Sequence, residues 1–287
     1  MNGTNQENAR ITTALLLAAG TGSRLQPLTD DSPKCLTEIN GVPILERLIA
    51  CLHEQQFKRL VVVVGYLENS IRRFLGERAG DLTVDYIVNP RYRTTNNLFS
   101  LWLARKMIDE PFLLLESDLI FNVSQLDDML YPDKCSISSM SDWMKGTTVT
   151  INPSNRITAF RVGAGVPFKE DAYKTVNIYS LSLHSWRLVL ERLESYISAG
   201  KVNEYYETVF AEMVADGTLS FQAVLFEAER WYEIDTLEDL RQAELIFPAA
   251  KEQLATRRVS LRHYSPVNLP SASELVSPRI AYYHDRS

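Results

Sequence analysis

The chain has 287 residues, of which 45% are hydrophobic and 23% are charged, and its formal net charge at pH 7 is −6. This composition is typical of a globular protein, and the acidic balance argues against a general nucleic-acid surface. No apolar run approaches the roughly 18 residues of a membrane span, and residues 1–10 lack the apolar core of a signal peptide. The three cysteines, at positions 35, 51 and 135, have no metal or redox spacing. We therefore expect a cytoplasmic protein with reduced thiols and with neither a nucleic-acid nor a membrane partner.

The most informative stretch is residues 14–34, where a short apolar run leads into a loop that contains glycines. The run predicts a buried strand that ends at the loop. Gly20 and Gly22 let the backbone approach a ligand closely and adopt positive φ, so that successive N–H groups can converge on phosphate oxygens. Arg24 and Lys34 supply the full positive charges that bind a polyphosphate.

Three other phosphate-binding loops do not fit this stretch. A dinucleotide fingerprint needs a third glycine where Leu25 stands, and an acidic residue where the next strand ends in Gly65 and Tyr66. No segment matches GxxxxGK[ST], and the companion motifs of a kinase glycine loop are missing. An ordinary glycine turn is the alternative for the loop alone, and the Pro33-Lys34 pair that follows argues against it.

Residues 17–36 resemble the signature LAAGxGxRLxPLTxxxPKxL of the sugar-nucleotidyltransferase superfamily. The resemblance implies that the loop wraps a nucleoside triphosphate and that Arg24 and Lys34 are catalytic, since in that family they contact phosphates of the reacting pair. The loop residues predicted to bind the nucleotide are Leu17, Ala18, Ala19, Gly20, Thr21, Gly22 and Ser23.

Helices and strands alternate after the loop. Apolar spacing predicts helices over residues 42–56 and 68–78 and strands over residues 59–64, 82–88 and 112–116. Alternation of this kind indicates a Rossmann-like, doubly wound α/β sheet that is mixed but mainly parallel, with ligands at the carboxyl ends of its strands. Because Gly65, Tyr66 and Asn89 follow strand ends, we expect them at the nucleotide.

Residues 89–101 leave a strand, turn, and enter a helix predicted over residues 98–106, with Asn96 or Asn97 as its N-cap. Amides and a serine at such a position can recognise a base edge, although both asparagines could merely cap and turn the chain. The pattern TNN-hydrophobic-x-S-L resembles the phosphocholine and 2-aminoethylphosphonate cytidylyltransferases. This resemblance implies that Asn96 and Ser100 lie near the pyrimidine and the second substrate.

Two aspartates are the predicted Mg²⁺ ligands. Asp118 follows the strand at 112–116, where a carboxylate facing a phosphate loop suits a hard divalent ion. Asp235 lies in residues 231–244, which resemble the family segment WxEIDTxEDLxxAE, and the resemblance makes it the second ligand. Glu116, where most members of the superfamily have aspartate, is an alternative second ligand. A surface aspartate and a helix cap are the other interpretations of the two positions.

Beyond residue 122 the organisation changes to shorter elements. Strands are predicted over residues 135–140, 147–151, 156–161, 173–181 and 219–226, and helices over residues 186–199 and 203–215. These strands indicate a small acceptor-side subsheet within one nucleotidyltransferase domain that covers residues 1–247. Within residues 173–181, Lys174, Asn177 and Tyr179 are expected to alternate with apolar neighbours.

An aromatic cluster with nearby charge is the candidate acceptor site. Tyr205 and Tyr206 open a predicted helix beside Glu207, and together with Trp143 they could form a cage for an organic cation. Tyrosines at a helix start are usually packing residues, which is the alternative interpretation. The residues predicted to bind the acceptor are Asn97, Trp143, Lys145, Lys174, Asn177, Tyr205, Tyr206 and Glu207.

The resemblance covers about residues 12–246 and implies a Mg²⁺-dependent cytidylyltransferase. Such an enzyme transfers CMP from CTP to a small amine-bearing phosphonate or phosphomonoester and releases pyrophosphate. The preferred acceptor is 2-aminoethylphosphonate, with phosphocholine next. The alternatives are a sugar-1-phosphate nucleotidyltransferase that uses UTP or dTTP, and a non-catalytic nucleotide-binding regulator. Residues 248–287 are expected to be a tail, an oligomer arm or a linker to a further domain, so a homo-oligomer or a fused domain is also anticipated.

Overall fold

The computed structural model describes residues 9–163 and 172–247, so the prediction for residues 248–287 lies outside the described part. Within it the strands are β1 Thr13–Ala18, β2 Glu38–Ile39, β3 Val42–Pro43, β4 Arg59–Val64, β5 Arg78–Ala79, β6 Leu82–Val88, β7 Phe112–Glu116, β8 Leu119–Phe121, β9 Lys134–Ser139, β10 Thr148–Ile151, β11 Ile157–Arg161, β12 Tyr173–Leu181, β13 Gln222–Phe226 and β14 Trp231–Glu233. The α-helices are α1 Ile44–Glu54, α2 Glu68–Leu75, α3 Asn97–Leu103, α4 Leu183–Ser198, α5 Tyr206–Ala215 and α6 Leu237–Ile246.

Ten of these strands form one sheet in the order β11-β10-β12-β7-β1-β4-β6-β5, and β9 and β13 are attached beside β12. The central strands β7, β1, β4 and β6 run parallel, whereas β12 pairs antiparallel with β7. This arrangement confirms the mixed, mainly parallel sheet that the sequence predicts. The strands expected to form an acceptor-side subsheet extend the same sheet through β12.

Both faces of the sheet are covered, which explains why β1, β4 and β7 are almost entirely apolar. In β1, Leu16 belongs to one core cluster, while Leu15 and Leu17 belong to the cluster on the opposite face. Helices α1 and α2 contribute to the first cluster, and α3, α4 and α5 contribute to the second. Burial on two faces is the reason that parallel strands carry no polar alternation.

The observed element bounds differ from the predicted ones mainly at helix ends. Strands β4, β6, β7 and β12 have the predicted bounds. Helix α4 begins three residues earlier than expected, because the Ser182 side chain accepts a hydrogen bond from the backbone N–H of Ser185. Helix α2 ends at Leu75 because Gly76 adopts a φ of 64°, and the chain then forms β5.

Strand β12 departs from simple alternation of its side chains. Asn177 has a φ of 60°, and the pairing of β12 with β9 shifts register between Thr175 and Tyr179. The irregularity changes which residues share a face of the strand. Lys174 and Tyr179 are both buried, with 1% and 0% of their surface exposed. The predicted alternation of polar and apolar side chains is therefore wrong.

A third, smaller core holds the loop after β1 against the segment that follows β14. Leu25 of the loop packs in the same cluster as Ile120 of β8 and Ile234. Strands β8 and β14 pair antiparallel beside it. The hydrophobic contacts therefore place the charged residues next to Leu25 and Ile234 in one neighbourhood. No helix in the described ranges is long and apolar enough to cross a membrane.

Candidate active site

A cleft of about 260 Å³ lies at the carboxyl ends of the parallel strands. It is lined by Leu17, Ala19, Gly20, Gly22, Ser23, Arg24, Lys34, Asn89, Tyr92, Thr95, Asn96, Asn97, Ser100, Glu116, Ser117, Asp118 and Asp235. Doubly wound sheets bind their ligands at this edge. The structure therefore brings the glycine loop, the asparagine-rich turn and both aspartates together around one space. Ala18 and Thr21, expected at the nucleotide, are not among the lining residues.

Gly22 is required in the loop for two independent reasons. Its φ of 62° lies in the left-handed region that side chains other than glycine rarely adopt. A Cβ at this position would also lie 3.0 Å from Cβ of Lys34 and 3.1 Å from Cγ2 of Thr29. The missing side chain therefore allows Lys34 to pack directly against the loop.

Gly65 and Tyr66, which were predicted to bind the nucleotide, support the cleft but are not among the residues that line it. The Tyr66 hydroxyl lies 2.9 Å from the carbonyl oxygen of Thr29 and 2.7 Å from that of Asp30. A Cβ at Gly65 would lie 2.8 Å from Cβ of Tyr92, so glycine is needed for that close approach. Tyr66 thus anchors the returning part of the glycine loop, and Gly65 makes room for a residue that does line the cleft.

Four charged side chains form a continuous chain of ion pairs at the centre of the cleft. Lys34 Nζ lies 2.7 Å from Asp118 Oδ2 and 2.7 Å from Asp235 Oδ1. Arg24 Nη2 lies 2.7 Å from the same Asp235 oxygen. The Lys34 side chain is only 12% exposed, whereas that of Arg24 is 69% exposed. Lys34 is therefore a partly buried bridge, and Arg24 lies at the rim.

The charges of this network stabilise one another. Burial alone lowers the pKa of Lys34, but Asp118 and Asp235 outweigh burial and raise its pKa above the ordinary value. Burial raises the pKa of Asp235, but Lys34 and then Arg24 outweigh it, so the net pKa lies below the ordinary value. Lys34 and Asp235 are consequently both charged at neutral pH.

The two aspartates fit a site for a hard divalent cation. Asp118 Oδ1 is buried and has no hydrogen-bond partner among the described residues, so it remains able to bind a cation. The backbone N–H of Ile234 donates to the carbonyl oxygen of Asp118 at 2.9 Å, which links the segments that carry the two carboxylates. No group of three or more His, Cys, Asp or Glu ligands lies in the described ranges. Two carboxylates suffice for Mg²⁺, because it commonly completes its shell with phosphate oxygens and water.

Asn97 joins three elements beside the cleft. The N-cap of α3 is Asn96, whose side chain accepts a hydrogen bond from the Asn97 backbone at 2.8 Å. This leaves the Asn97 carboxamide free to donate to Glu116 Oε1 at 3.2 Å and to accept from the Tyr206 backbone N–H at 3.1 Å. One side chain thus connects the start of α3, the end of β7 and the start of α5.

The residues of the asparagine-rich turn, which were predicted to lie near the pyrimidine, form a second polar group. Asn89 is buried, its side chain donates to Ser100 Oγ at 3.0 Å, and it accepts from the backbone N–H of Arg91 at 2.9 Å. Sequence reasoning identified this stretch but missed Tyr92 and Thr95, which line the cleft. No pattern in the sequence distinguishes these two residues from their exposed neighbours. Ser117, also missed, lines the cleft between two residues that were identified.

Two acidic side chains, those of Glu116 and Glu207, lie on either side of Asn97. Burial, followed by the charges of Asp118 and Glu207, raises the pKa of Glu116 well above its ordinary value. Burial also raises the pKa of Glu207, to about 7, although its own backbone amide and Lys174 partly counteract this effect. Glu207 Oε2 has no hydrogen-bond partner among the described residues. This oxygen is therefore an unsatisfied acceptor in the interior.

Glu233 is a functional candidate that sequence reasoning missed. Its Oε2 lies 3.3 Å from Lys174 Nζ, and its Oε1 accepts from the Asn177 side chain at 3.4 Å. Lys174 also donates to the carbonyl oxygen of Thr175 at 2.6 Å. Burial raises the pKa of Glu233, and Lys174 counteracts part of the rise. Lys174 and Asn177, predicted to bind the acceptor, are thus already partnered by this carboxyl group.

The aromatic cage expected around an organic cation is not formed. The ring of Tyr206 is fully buried in the core, while Tyr205 is half exposed. Trp143 stacks on Tyr232 instead, with the ring centroids 4.0 Å apart and the planes at 15°. Lys145 is exposed and does not line the cleft. The aromatic residues predicted for the acceptor are therefore packing or surface residues. Glu207 and Lys174 are the buried charged residues of the predicted set, and neither is among the residues that line the cleft.

A comparison with protein families matches the part of the chain that holds most of this site. Residues 14–131 match the MobA-like NTP transferase domain. The matched range contains the glycine loop, Lys34, Asn89 to Ser100 and Asp118. This part of the chain is therefore similar to a nucleotidyltransferase domain, in agreement with the fold and with the clustering of cations and carboxylates.

Two curated relatives match a larger part of the chain than the family domain does. The chain is 32% identical over 250 residues to the CMP-5'-(3-aminopropyl)phosphonate synthase of Streptomyces rubellomurinus, and the match covers 84% of this chain and 39% of that protein. It is 28% identical over 236 residues to the 2-aminoethylphosphonate cytidylyltransferase of Lancefieldella rimae, covering 81% and 92%. The chain thus spans about two fifths of the first relative and most of the second.

A solved structure supports the fold independently. The CTP:phosphocholine cytidylyltransferase of Streptococcus pneumoniae matches with a TM-score of 0.69 at 22% identity. The match covers 83% of this chain and 99% of that one. At this level of identity the likeness concerns the arrangement of strands and helices.

Proposed function

We propose that this chain is a cytidylyltransferase that transfers CMP from CTP to a small phosphonate or phosphomonoester bearing an amine, with release of pyrophosphate. The observation that carries the proposal is a single cleft in which the cations of a glycine loop meet two aspartates, next to buried acidic side chains. The two relatives that act on aminoalkylphosphonates support this choice of nucleotide and acceptor.

The reaction needs charge compensation more than a base. An oxygen of the acceptor phosphonate attacks the α-phosphorus of CTP, and the bond to the β-phosphate bridging oxygen breaks. The attacking oxygen of the phosphonate is already ionised at neutral pH, so no side chain has to remove a proton from it. Repulsion between the two anions is the main barrier, and Arg24 and Lys34 lower it by neutralising phosphate oxygens in fixed positions.

Asp118 and Asp235 would hold Mg²⁺, which supplies additional positive charge to the reacting phosphates. In the free protein the two aspartates also hold Lys34 through two contacts of 2.7 Å. Glu116 is a weaker ligand candidate. Its raised pKa favours the neutral form, and its Oε1 accepts a hydrogen bond from Asn97.

The acidic interior beside the cleft supports an acceptor with a primary ammonium group. A primary ammonium has N–H groups to donate to a carboxylate, whereas a quaternary ammonium depends on free aromatic faces. Glu207 offers an unpartnered oxygen, while the rings of Tyr206 and Trp143 are occupied by packing. These features favour 2-aminoethylphosphonate over phosphocholine as the acceptor.

A pyrophosphate-release screen tests the proposal. CTP, UTP, dTTP and ATP are each combined with 2-aminoethylphosphonate, phosphocholine and glucose-1-phosphate in the presence of Mg²⁺. The proposal predicts release that requires CTP and is greatest with 2-aminoethylphosphonate. Lys34→Ala provides the inactive background. Arg59→Ala is the matched control, because Arg59 also bridges two carboxylates, Asp85 and Glu110, but lies away from the cleft.

A further inference from the structure

The positive and negative charges of the four side chains at the centre of the cleft balance one another. Two cations, Lys34 and Arg24, face two carboxylates, Asp118 and Asp235, through three contacts of 2.7 Å. The Lys34 ammonium lies between the two carboxylates and contacts one oxygen of each. A monovalent cation of the chain itself therefore binds both carboxylates that would ligate the metal.

The fold holds Lys34 in this position. Lys34 begins a short 3-10 helix after Pro33, and Cβ of Lys34 packs where Gly22 lacks a side chain. Its side chain is 12% exposed, so solvent screens its contacts with Asp118 and Asp235 only weakly. The loop thus holds the ammonium at the two carboxylates instead of leaving it free in the cleft.

We propose that Lys34 acts as a built-in counter-ion that blocks the metal site until the nucleotide arrives. The ammonium and a divalent cation compete for the carboxylates of Asp118 and Asp235. Adding a divalent cation to the balanced network leaves an excess of positive charge, which disfavours binding. The phosphates of the nucleotide supply anionic oxygens for Lys34 and Arg24, and this releases the carboxylates. The inference rests on the proposed function for the identity of that nucleotide.

The consequence is that the free protein binds divalent metal weakly and that loss of Lys34 strengthens metal binding. Removal of a catalytic lysine would ordinarily weaken the binding of every ligand at the site. Here it is expected to weaken nucleotide binding and to tighten metal binding, because two carboxylates lose their competitor. This opposite effect separates the blocking role from a purely structural one.

Binding of Mn²⁺ in the absence of nucleotide tests the proposal. Electron paramagnetic resonance measures the concentration of free Mn²⁺ during the titration. The Lys34→Met variant should bind Mn²⁺ about tenfold or more tightly than the wild type. Arg24→Met, which removes the exposed partner of Asp235, should give a smaller gain. Arg59→Met should leave the Mn²⁺ affinity unchanged, since Arg59 bridges carboxylates at another place. Circular dichroism verifies that each variant is folded.

Equal Mn²⁺ affinity of the wild type and Lys34→Met would overturn the proposal. It would also be overturned if the gain in Lys34→Met survived the added substitution Asp118→Asn, because the ion would then be bound elsewhere. If Lys34→Met does not fold, Arg24→Met decides, and the absence of any gain contradicts the mechanism. Because the experiment contains no CTP and no acceptor, failure of the proposed activity would not alter its outcome.

Discussion

The side-chain amide of Asn97 lies 3.2 Å from Glu116 Oε1, and this contact connects the first turn of α3 to the end of the central strand β7. The same carboxamide accepts a hydrogen bond from the backbone of Tyr206, the first residue of α5. A residue that lines the cleft therefore fixes two of its walls relative to each other. Because Glu207 follows Tyr206 directly, Asn97 also positions the buried carboxyl proposed to bind the acceptor.

Asn97→Ala should mainly affect the acceptor. Loss of both hydrogen bonds leaves Glu116 and the Tyr206 N–H without their partner, at a cost of about 1–3 kcal/mol in stability. The KM for 2-aminoethylphosphonate should rise more than the KM for CTP, because the phosphate-binding loop is not touched. Steady-state kinetics with thermal unfolding checks both effects. A selective increase in the KM for CTP would contradict this role, and Asn40→Ala is a suitable control for a hydrogen-bonded asparagine that does not line the cleft.

Lys34→Ala and Arg24→Ala should each lower turnover about 100-fold or more, because each removes charge from a preorganised phosphate clamp. Lys34→Ala should also lower stability, since it leaves two carboxylates without their partly buried partner, whereas the exposed Arg24 contributes little to folding. Steady-state rates and thermal unfolding measure the two effects separately. Near-normal turnover in a folded variant would remove that residue from the mechanism.

Asp118→Asn and Asp235→Asn should abolish Mg²⁺-dependent activity, because an amide keeps the shape but loses the charge that a hard cation requires. Glu116→Gln should retain a measurable fraction of activity, since the raised pKa of Glu116 favours a neutral carboxyl group. Rates measured over a Mg²⁺ titration distinguish these cases. If Glu116→Gln proved as inactive as Asp118→Asn, Glu116 would have to be counted among the metal ligands.

The acceptor affinity should depend on pH through Glu207. Its pKa of about 7 means that the carboxylate forms as the pH rises through neutrality. Binding of the acceptor ammonium should therefore tighten, and its KM should fall, between about pH 6 and pH 8. Glu207→Gln should raise the KM roughly tenfold at pH 8 and reduce the pH dependence. The charged and titratable groups around Glu207 are Lys174, Glu233, Glu116, Cys135, Tyr179 and Tyr206.

The same carboxyl group provides a second readout in protein stability. The native pKa of Glu207, about 7, lies above its ordinary value of 4.5, so the native state binds more protons between these values. The free energy of unfolding should therefore fall as the pH rises from 4.5 to 7. Glu207→Gln should remove part of this fall, and the shifts of Glu116 and Glu233, which have the same direction, should leave the rest. Urea unfolding at pH 5 and pH 7.5 measures this change in the free energy of unfolding. An identical change in the wild type and in Glu207→Gln would contradict the raised pKa of Glu207.

The sequence could predict those parts of the site that follow from local patterns. The glycine loop, Asn89 at a strand end and Asp118 follow from spacing and residue type, whereas Asp235 follows from the family resemblance. The structure gathers all of them around one cleft. The cage of Trp143, Tyr205 and Tyr206 could not be judged in this way, because ring exposure depends on packing between distant elements. Trp143 stacks on Tyr232, and nothing in the local sequence predicts that contact.

Polar contacts between residues far apart in the chain could not be predicted from the sequence either. Lys174 is buried against Glu233, and β12 shifts its register with β9 between Thr175 and Tyr179. A local sequence pattern encodes neither feature. For the same reason the hydroxyl of Tyr66 could not be recognised as an anchor for the backbone of Thr29. In each case the functional role depends on a partner brought by tertiary structure.

Phosphorus NMR of a reaction with CTP, Mg²⁺ and 2-aminoethylphosphonate shows directly whether the acceptor is cytidylylated. We expect a mixed anhydride of CMP and the phosphonate to form together with an equal amount of pyrophosphate. Arg59→Ala should form both products at the wild-type rate, and Lys34→Ala should form them about 100-fold more slowly or not at all. Transfer of a nucleotide to glucose-1-phosphate, with no product from 2-aminoethylphosphonate or phosphocholine, would show that the chain is not a cytidylyltransferase for amine-bearing acceptors.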